Sequence, residues 1–505
     1  MIRIPNIEQI KSCEAHTIAN KPISSIELME VAAKACVKQI KPKIRPDAVI
    51  AVFCGMGNNG GDGLAITRLL CEENYNCVPY IIKHREEYSE ECLHQVNLLK
   101  ERNIAINYIE EEQEVPSCLQ HTVIIDAIFG IGLNQTIDDP LLRTVVKSIN
   151  MSEALVFAID MPTGLLDGHI VVKNDAVVEA NYTISFQFPK ISFFLAENHR
   201  YVGEWISVNI ELDYKYLNKI KNGNFLVRAN DIKLFYRPRT KFAHKGNFGH
   251  GLMIAGSYGM MGASVLSSKA ALRAGIGILT AHVPKSGYNI MQTTLPEALC
   301  HCDENEHYFT GIPFKDLDKY TAVAVGCGLG TQPETAQGLK QLIGDYKGSL
   351  VIDADAINIL AENKTWLEFL PTNCIITPHM KEFERLTSKP KDGYERLEMQ
   401  REFSVRHRCV VILKGACTSI STHQGYLYLC MFGNPGMAKG GSGDMLTGML
   451  LALLAQGYTP AQAAMIGVYL HGTAADKAVG KQSYESLLSS DMIEYIGQAY
   501  RTVSS

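Results

Sequence analysis

Twelve short, almost wholly apolar runs fall into two series along the chain. Polar or helical stretches long enough to recross a sheet separate them. The first series occupies 48–54, 77–82, 122–129, 154–160, 181–186 and 205–210; the second occupies 250–256, 278–284, 321–328, 349–355, 373–379 and 409–415. Strand-length runs without a polar face are buried on both sides, the situation of a parallel sheet covered by helices. Each series therefore predicts one α/β unit with helices on both faces of a mostly parallel sheet. The intervening stretch ELDYKYLNKIKNGNFLVRAND is polar, lysine-rich and aperiodic, and marks a boundary between domains 1–215 and 225–505.

Local signals fill in this frame. Ser24 and Glu27 form a capping-box pattern ahead of Met29, Ala32, Ala33, Cys36, Val37 and Ile40, which recur at helical spacing. A further helix is expected from about Leu64, a hairpin over 418–430 with Gln424-Gly425 in its turn, and helices from Ser442 and from Pro460. The apolar run Met445–Ala455 is about half the ~20 residues a bilayer span needs, so it reads as a buried helix. The start, MIRIPNIEQIKSCE, has no continuous apolar core and no small-residue cleavage site. A net charge of −5 offers nucleic acid or an anionic membrane no global attraction, so any phosphate recognition must be local. The 14 cysteines contain no CxxC pair, and the closest two are Cys300 and Cys302. This spacing argues against a zinc site or a secreted disulfide framework and for reduced thiols in a cytoplasmic protein.

Chemistry concentrates in the glycine loops. GMGNNGGDG (55–63) lies between a strand and a helix, where glycines let backbone N–H groups approach an anion. It is neither GxGxxG nor a Walker loop. It reads equally well as a tight turn with a left-handed asparagine and Asp62 as a helix cap. Asp126 and Asp160 each end a strand, and in an open parallel sheet the ligand crevice lies at the carboxyl ends. Asn58, Asn59, Asp62, Asp126 and Asp160 are thus expected around one cleft. Downstream, GNPGMAKGGSGDMLTG (433–448) places successive N–H groups at a helix start, an anion hole for a transferring phosphate. Asp444 follows it at once, positioned as a base toward a hydroxyl or, more plainly, as a helix cap. LKGACT (413–418), GCGLG (326–330), DADAIN (353–358) and TPHMKEFERL (377–386) each sit at or just past a strand end. A second glycine loop from Gly256 opens a helix with Ala263 and Ser264 near its turn.

The strings GNNGGDG, DAIFGIGL and DMPTGLLDG, in that order, resemble the epimerase domain of the NAD(P)H-hydrate repair enzymes, a Rossmann-like three-layer α/β/α domain. That domain interconverts the R and S hydrates of reduced nicotinamide nucleotides at C6. The resemblance implies a ligand loop of Asn58, Asn59, Gly60, Gly61 and Asp62, and a phosphate-side loop of Gly130, Ile131, Gly132, Leu133, Asn134, Gln135 and Thr136. It also implies potassium ligands Asn59, Asp126 and Thr163, and Asp160 as the catalytic carboxylate. The family usually reads DIPSG where this chain has DMPTG, and threonine keeps the hydroxyl.

HKGNFGHGLMIAGS, GCGLG, DADAIN, TPHMKEFERL, LKGACT and NPGMAKGGSGDMLTG resemble the ribokinase-like α/β domain of the ADP/ATP-dependent NAD(P)H-hydrate dehydratases. This second resemblance implies that Ala263, Gly328, His379 and Asp444 meet the hydrate, with Asp444 as the catalytic base. Lys414, Gly415, Ala416, Cys417, Thr418 and Gly443 would meet the nucleotide. Cys327 stands where many relatives have proline, a change expected not to matter. The implied cofactors are a potassium ion in the first domain, and magnesium with ADP or ATP in the second. The implied partners are the small-molecule hydrates NADHX and NADPHX and an adenine nucleotide, with no nucleic acid and no membrane, in a homo-oligomer. Two competing readings are a ribokinase-type kinase of a vitamin or sugar with a regulatory N-terminal domain, and a first domain that only binds ligand.

Overall fold

The computed structural model describes residues 1–118, 121–219, 223–313 and 317–504. It divides into two compact units, Arg3–Asn222 and Gly223–Ser505, with Met1–Ile2 counted in the second. The division falls inside the aperiodic stretch, of which 220–222 lie outside the described residues.

After β1 (Ile2–Arg3), the strands of the first unit are β2 (Val49–Cys54), β3 (Asn76–Ile82), β4 (Asn107–Ile109), β5 (Val123–Ala127), β6 (Leu155–Ile159), β7 (Tyr182–Phe186) and β8 (Glu204–Val208). They form one sheet in the order β4-β3-β2-β5-β6-β7-β8, parallel throughout. Successive side chains of a strand point to opposite faces, and β2 shows the consequence. Ile50, Val52 and Cys54 enter one apolar core, while Ala51 and Phe53 enter another. Both faces are covered, which is the three-layer arrangement the sequence predicts. The capping box of Ser24 and Glu27 opens the Ser25–Ile40 helix as expected.

The second unit has β9 (Asn224–Leu226), β10 (His250–Ile254), β11 (Ile278–Val283), β12 (Leu299–Cys302), β13 (Ala322–Val325), β14 (Ser349–Ile352), β15 (Cys374–Ile376), β16 (Val410–Leu413), β17 (Thr418–Ser421) and β18 (Leu427–Cys430). The sheet runs β1-β9-β18-β17-β16-β15-β14-β13-β10-β11-β12. It is parallel from β12 to β16 and turns antiparallel through the expected hairpin β17–β18. Gly425 takes φ +80° in that hairpin's turn. Here too Leu252 and Ile254 face one core and Met253 the other.

Two helices depart from, or sharpen, the sequence reading. The helix expected from about Leu64 begins at Asn58, so GNNGGDG forms its first turns rather than a loop. Glycine disfavours helix by propensity, but here contact with the sheet decides. A Cβ at Gly60 would lie 1.8 Å from the Gly55 carbonyl oxygen, and one at Gly63 would lie 2.5 Å from the Ala127 Cβ. Gly57 occupies the cap position, so Asp62 is not the cap. The apolar run 445–455 is buried along its whole length inside the Ser442–Ala455 helix. Among the described residues no helix is long and apolar enough to cross a membrane. This buried helix packs on the Met261–Arg273 helix through Gly448, where a Cβ would stand 1.9 Å from the Ser267 carbonyl oxygen. Gly448→Val is therefore expected to destabilise the second unit by about 3 kcal/mol, the upper range for overpacking, read as a lowered denaturant midpoint.

Candidate active sites

In the first unit the carboxyl ends of β2, β5 and β6 carry the polar residues. Asp126 lies within β5 and is fully buried. Its Oδ2 accepts from the Thr163 N–H (2.8 Å), and its Oδ1 accepts from the Thr163 hydroxyl (2.6 Å) and the Ile128 N–H (3.3 Å). Burial pushes its carboxyl up to about 6 against these hydrogen bonds, since water is no longer there to solvate the charge. No cationic side chain pairs with it among the described residues. The Thr163 oxygen also accepts from the Phe129 N–H at 3.0 Å, tying the 129–136 loop to the same point.

Asp160 follows β6 with φ +66°, a left-handed conformation that a non-glycine residue holds only when its surroundings enforce it. The enforcement is visible. Asp160 Oδ2 accepts from the Ile131 N–H at 3.1 Å, and Oδ1 takes a short hydrogen bond from the Lys190 ammonium. Lys190 is 1% exposed and also donates to the Ser185 hydroxyl at 2.6 Å. Gly130 lets this happen, because a Cβ there would stand 2.8 Å from Asp160 Oδ2 and 3.1 Å from Asn59 Oδ1. Asn59, Gly130, Ile131 and Asp160 are thus brought together, and the Asn59 amide nitrogen is buried without a hydrogen-bond partner. Gly132, Asn134 and Gln135 are exposed, with Leu133 and Thr136 half-buried beside them. Asn58 is exposed at the helix start, whereas Gly60, Gly61 and Asp62 are buried beneath it.

Two ionisable groups here carry no sequence signal. Lys190 neutralises Asp160 directly. Glu14, on the Ile7–Asn20 helix, is pushed up to about 7 by burial and then by the charge of Asp160, with Lys190 pulling it down. Burial, followed by Asp160 and Glu14, also raises the Asp62 carboxyl well above its ordinary range. Asp160 and Glu14 therefore share one buried lysine, and Asp62 feels both carboxyl groups.

The second unit builds its site at the ends of β13, β14, β15 and β16. Asp353 follows β14, is 1% exposed, and accepts from the Lys414 ammonium (Oδ1, 2.8 Å) and the Thr447 hydroxyl (Oδ2, 2.8 Å). These partners hold its carboxyl below the ordinary range despite burial. Lys414 is therefore committed to Asp353 and lies under Gly443, where a Cβ would be 3.3 Å from its nitrogen. The remaining LKGACT residues form a tight turn, with the Thr418 hydroxyl donating to the Gly415 carbonyl at 3.0 Å. Gly415 and Ala416 are exposed, and Cys417 is half-buried. His379 caps the Met380–Leu386 helix, its Nδ1 accepting from the Glu382 N–H at 3.3 Å, and bridges to Lys414 by backbone pairing. Gly328 adopts φ +58° and sits against Ala263, whose Cβ would be 2.9 Å from an added Cβ. The Ser257 hydroxyl donates to the Gly328 carbonyl at 2.9 Å, joining the two glycine loops.

Asp444 is half-buried in the first turn of the Ser442–Ala455 helix, whose cap is Gly441 at φ +89°, so capping is not its role. Burial, then the neighbouring Asp353, raises its carboxyl. Cys327 is fully buried, with Sγ 3.9 Å from Asp353 Oδ2, and its thiol hydrogen-bonds with Asp444. The position expected not to matter is thus in contact with both carboxylates. Asp353, the first residue of the DADAIN string, is a further site residue through its bonds to Lys414 and Thr447.

A family model described as NAD(P)H-hydrate dehydratase matches residues 251–498, and one described as YjeF-related protein N-terminus matches 25–192. The bifunctional NAD(P)H-hydrate repair enzyme Nnr of Coxiella burnetii is 31% identical over 480 residues, covering 94% of each chain. Its Moorella thermoacetica counterpart is 30% identical over 498 residues, covering 95% of this chain and 93% of that one. Among solved structures, the ADP/ATP-dependent NAD(P)H-hydrate dehydratase of Bacillus subtilis, co-crystallised with ATP and Mg2+, is 27% identical. The match covers 55% of this chain and 97% of that one, with a TM-score of 0.47. Matched nearly end to end by these relatives, the chain belongs to the bifunctional NAD(P)H-hydrate repair enzyme family.

Proposed function

We propose that the domain expected at 1–215 interconverts the R and S C6 hydrates of NADH and NADPH. The domain expected at 225–505 returns the S hydrate to NAD(P)H at the expense of ADP or ATP. The observation that carries this reading is that Asp160 takes a hydrogen bond from the buried Lys190 beside Gly130, while Asp444 follows Gly443, which sits over the Lys414–Asp353 pair.

The C6 hydrate is a hemiaminal, and its ring nitrogen can expel the hydroxyl. In the first unit the proton shared in the Asp160–Lys190 pair goes to that hydroxyl as it leaves as water, the lysine giving it up across the carboxylate. Asp160 then takes a proton from the water that adds to the opposite face, which restores the pair. Lys190 keeps the carboxylate in place through both half-reactions. Asn59, with its buried and unpaired amide nitrogen, and the exposed part of the Gly130–Thr136 loop would hold the nucleotide.

Asp126 fits a monovalent cation, because it is a buried carboxylate beside the Thr163 hydroxyl oxygen, with no cationic side chain to neutralise it among the described residues. Potassium would be held by Asp126, Thr163 and Asn59, and would supply positive charge toward the ligand's anionic end. The test is epimerisation of an R-enriched hydrate without nucleotide. Interconversion above the spontaneous rate is expected, with a higher melting temperature in potassium than in sodium chloride, an increment that Asp126→Asn removes.

In the second unit Asp444 takes the C6 hydroxyl proton as that oxygen attacks the terminal phosphoryl group of ADP or ATP. The amides at the start of the Ser442–Ala455 helix face the charge that develops there. Hydroxide is a poor leaving group and phosphate a good one. Phosphate then departs with the C–O bond, a proton leaves the adjacent ring carbon, and the dihydropyridine is restored. Magnesium carried on the nucleotide's phosphates would neutralise charge on the transferring group. Lys414, held by Asp353, presents positive charge beneath Gly443, while Lys414–Thr418 form the turn that the nucleotide phosphates would meet. Ala263, Gly328 and His379 would shape the hydrate side. Fourteen free cysteines suit a cytoplasmic location, and the family resemblance implies a homo-oligomer.

A further inference from the structure

The anion-binding turn that carries Asp444 is held from outside by the Pro460–Ala478 helix. Asp476 of that helix accepts from the Gly433 N–H (3.3 Å) and from the Asn434 side-chain amide (2.9 Å), fixing the start of the glycine stretch. One turn earlier, His471 Nε2 lies 3.2 Å from the Ser442 hydroxyl. On the far side the Ser489 hydroxyl donates to the Gly440 carbonyl at 3.1 Å. Gly441, at φ +89°, leaves no room for a side chain between Leu266 and Ser489. Ser442 is the first residue of the helix, and the first helical bond closes only from the Met445 N–H to the Gly441 carbonyl. Its amide and those of Gly443 and Asp444 precede the hydrogen-bonded ladder and are the groups a phosphoryl oxygen would meet.

Resting on the dehydratase reading of this unit, we infer that His471 is a positioning residue for phosphoryl transfer: its ring fixes Ser442, and through it the direction of the helix-start amides and of Asp444. A histidine suits the task for an electrostatic reason. It is 8% exposed, and burial, with Lys414 adding in the same direction, pulls its pKa down to about 4. At neutral pH it is an uncharged ring. It can hold a hydroxyl without placing a second positive charge beside Lys414, which would compete with Asp353 and with the incoming phosphate. Neither the anion-hole string nor the carboxylates predict this residue, because His471 is 27 positions beyond Asp444 in an apolar helix.

The test is a double-mutant cycle in the full-length chain with S hydrate, magnesium and saturating ADP or ATP. His471→Leu and Ser442→Ala are each expected to lower kcat about tenfold, the value of one well-placed hydrogen bond, with KM for the hydrate within about twofold. The double variant should be no slower than Ser442→Ala alone, because both changes remove the same contact. His471→Gln, which keeps a hydrogen-bonding group, should recover most of the rate and replaces His471→Leu in the cycle if that variant fails to fold. A wild-type denaturant midpoint for the second unit in the same preparations reports that the variants are folded. Wild-type kcat in the His471 variants, or losses that multiply in the double variant, would overturn the inference while leaving the dehydratase reading in place. A wild-type chain inert with both donors would overturn the two together.

Discussion

Asp444→Asn is expected to slow nucleotide-driven dehydration by roughly 10²–10⁴-fold, the usual worth of a positioned base, while epimerisation by the first unit continues at the wild-type rate. Asparagine keeps the shape of the side chain and cannot accept the hydroxyl proton. Because Gly441 rather than Asp444 caps the Ser442–Ala455 helix, the substitution should cost little stability. The loss should fall on kcat, with KM for hydrate and nucleotide nearly unchanged, since the proton moves only as the oxygen attacks. The pH profile carries a sign. Burial and Asp353 raise the Asp444 carboxyl above its ordinary value, and the base must be ionised to act. The acid limb of kcat/KM should therefore set in above the usual carboxylate range of about 4, with activity falling as pH drops through the raised pKa. The Asn variant should lack that limb.

The second large effect concerns stability as much as rate. Lys190→Met strands the Asp160 carboxylate, 4% exposed, in a site built around an ion pair. Removing one partner of a buried pair typically costs about 3–5 kcal/mol, and the first unit should lose that much in chemical denaturation while epimerisation disappears. The companion variant Asp160→Asn/Lys190→Met removes the stranded charge. It should regain most of the stability and none of the activity. Equal losses in the single and double variants would mean that the pair contributes packing rather than charge balance.

The sequence makes the architecture legible because buried parallel strands cannot disguise themselves. Their apolar runs are continuous, and their carboxyl ends are where Asp126, Asp160 and Asp353 had to fall. Lys190 was illegible for the opposite reason. A lysine after a phenylalanine-proline pair reads as surface, and only the packing of β7 against β6 turns it inward to meet an aspartate thirty positions upstream. Glu14 is hidden in the same way, on a helix that precedes the whole sheet. The early start of the Asn58–Glu72 helix was obscured by its own glycines, whose missing side chains serve contact with Gly55 and Ala127 rather than a turn. Lys414 stands in a string that the resemblance places at the nucleotide. The salt bridge to Asp353 could not be seen, because the two residues are 61 positions apart and meet only through the order of β14, β15 and β16.

The most direct test gives the purified chain a racemic NADH hydrate, magnesium and either ADP or ATP, and follows the return of NADH absorbance. Two carboxylate sites on one chain predict conversion of the entire racemate, faster than spontaneous epimerisation permits, with one of the two donors preferred. Conversion that stalls near one half would contradict the role given to Asp160 and leave the first unit a binding module. No conversion with either donor would contradict the role given to Asp444 and favour a kinase acting on a different hydroxyl.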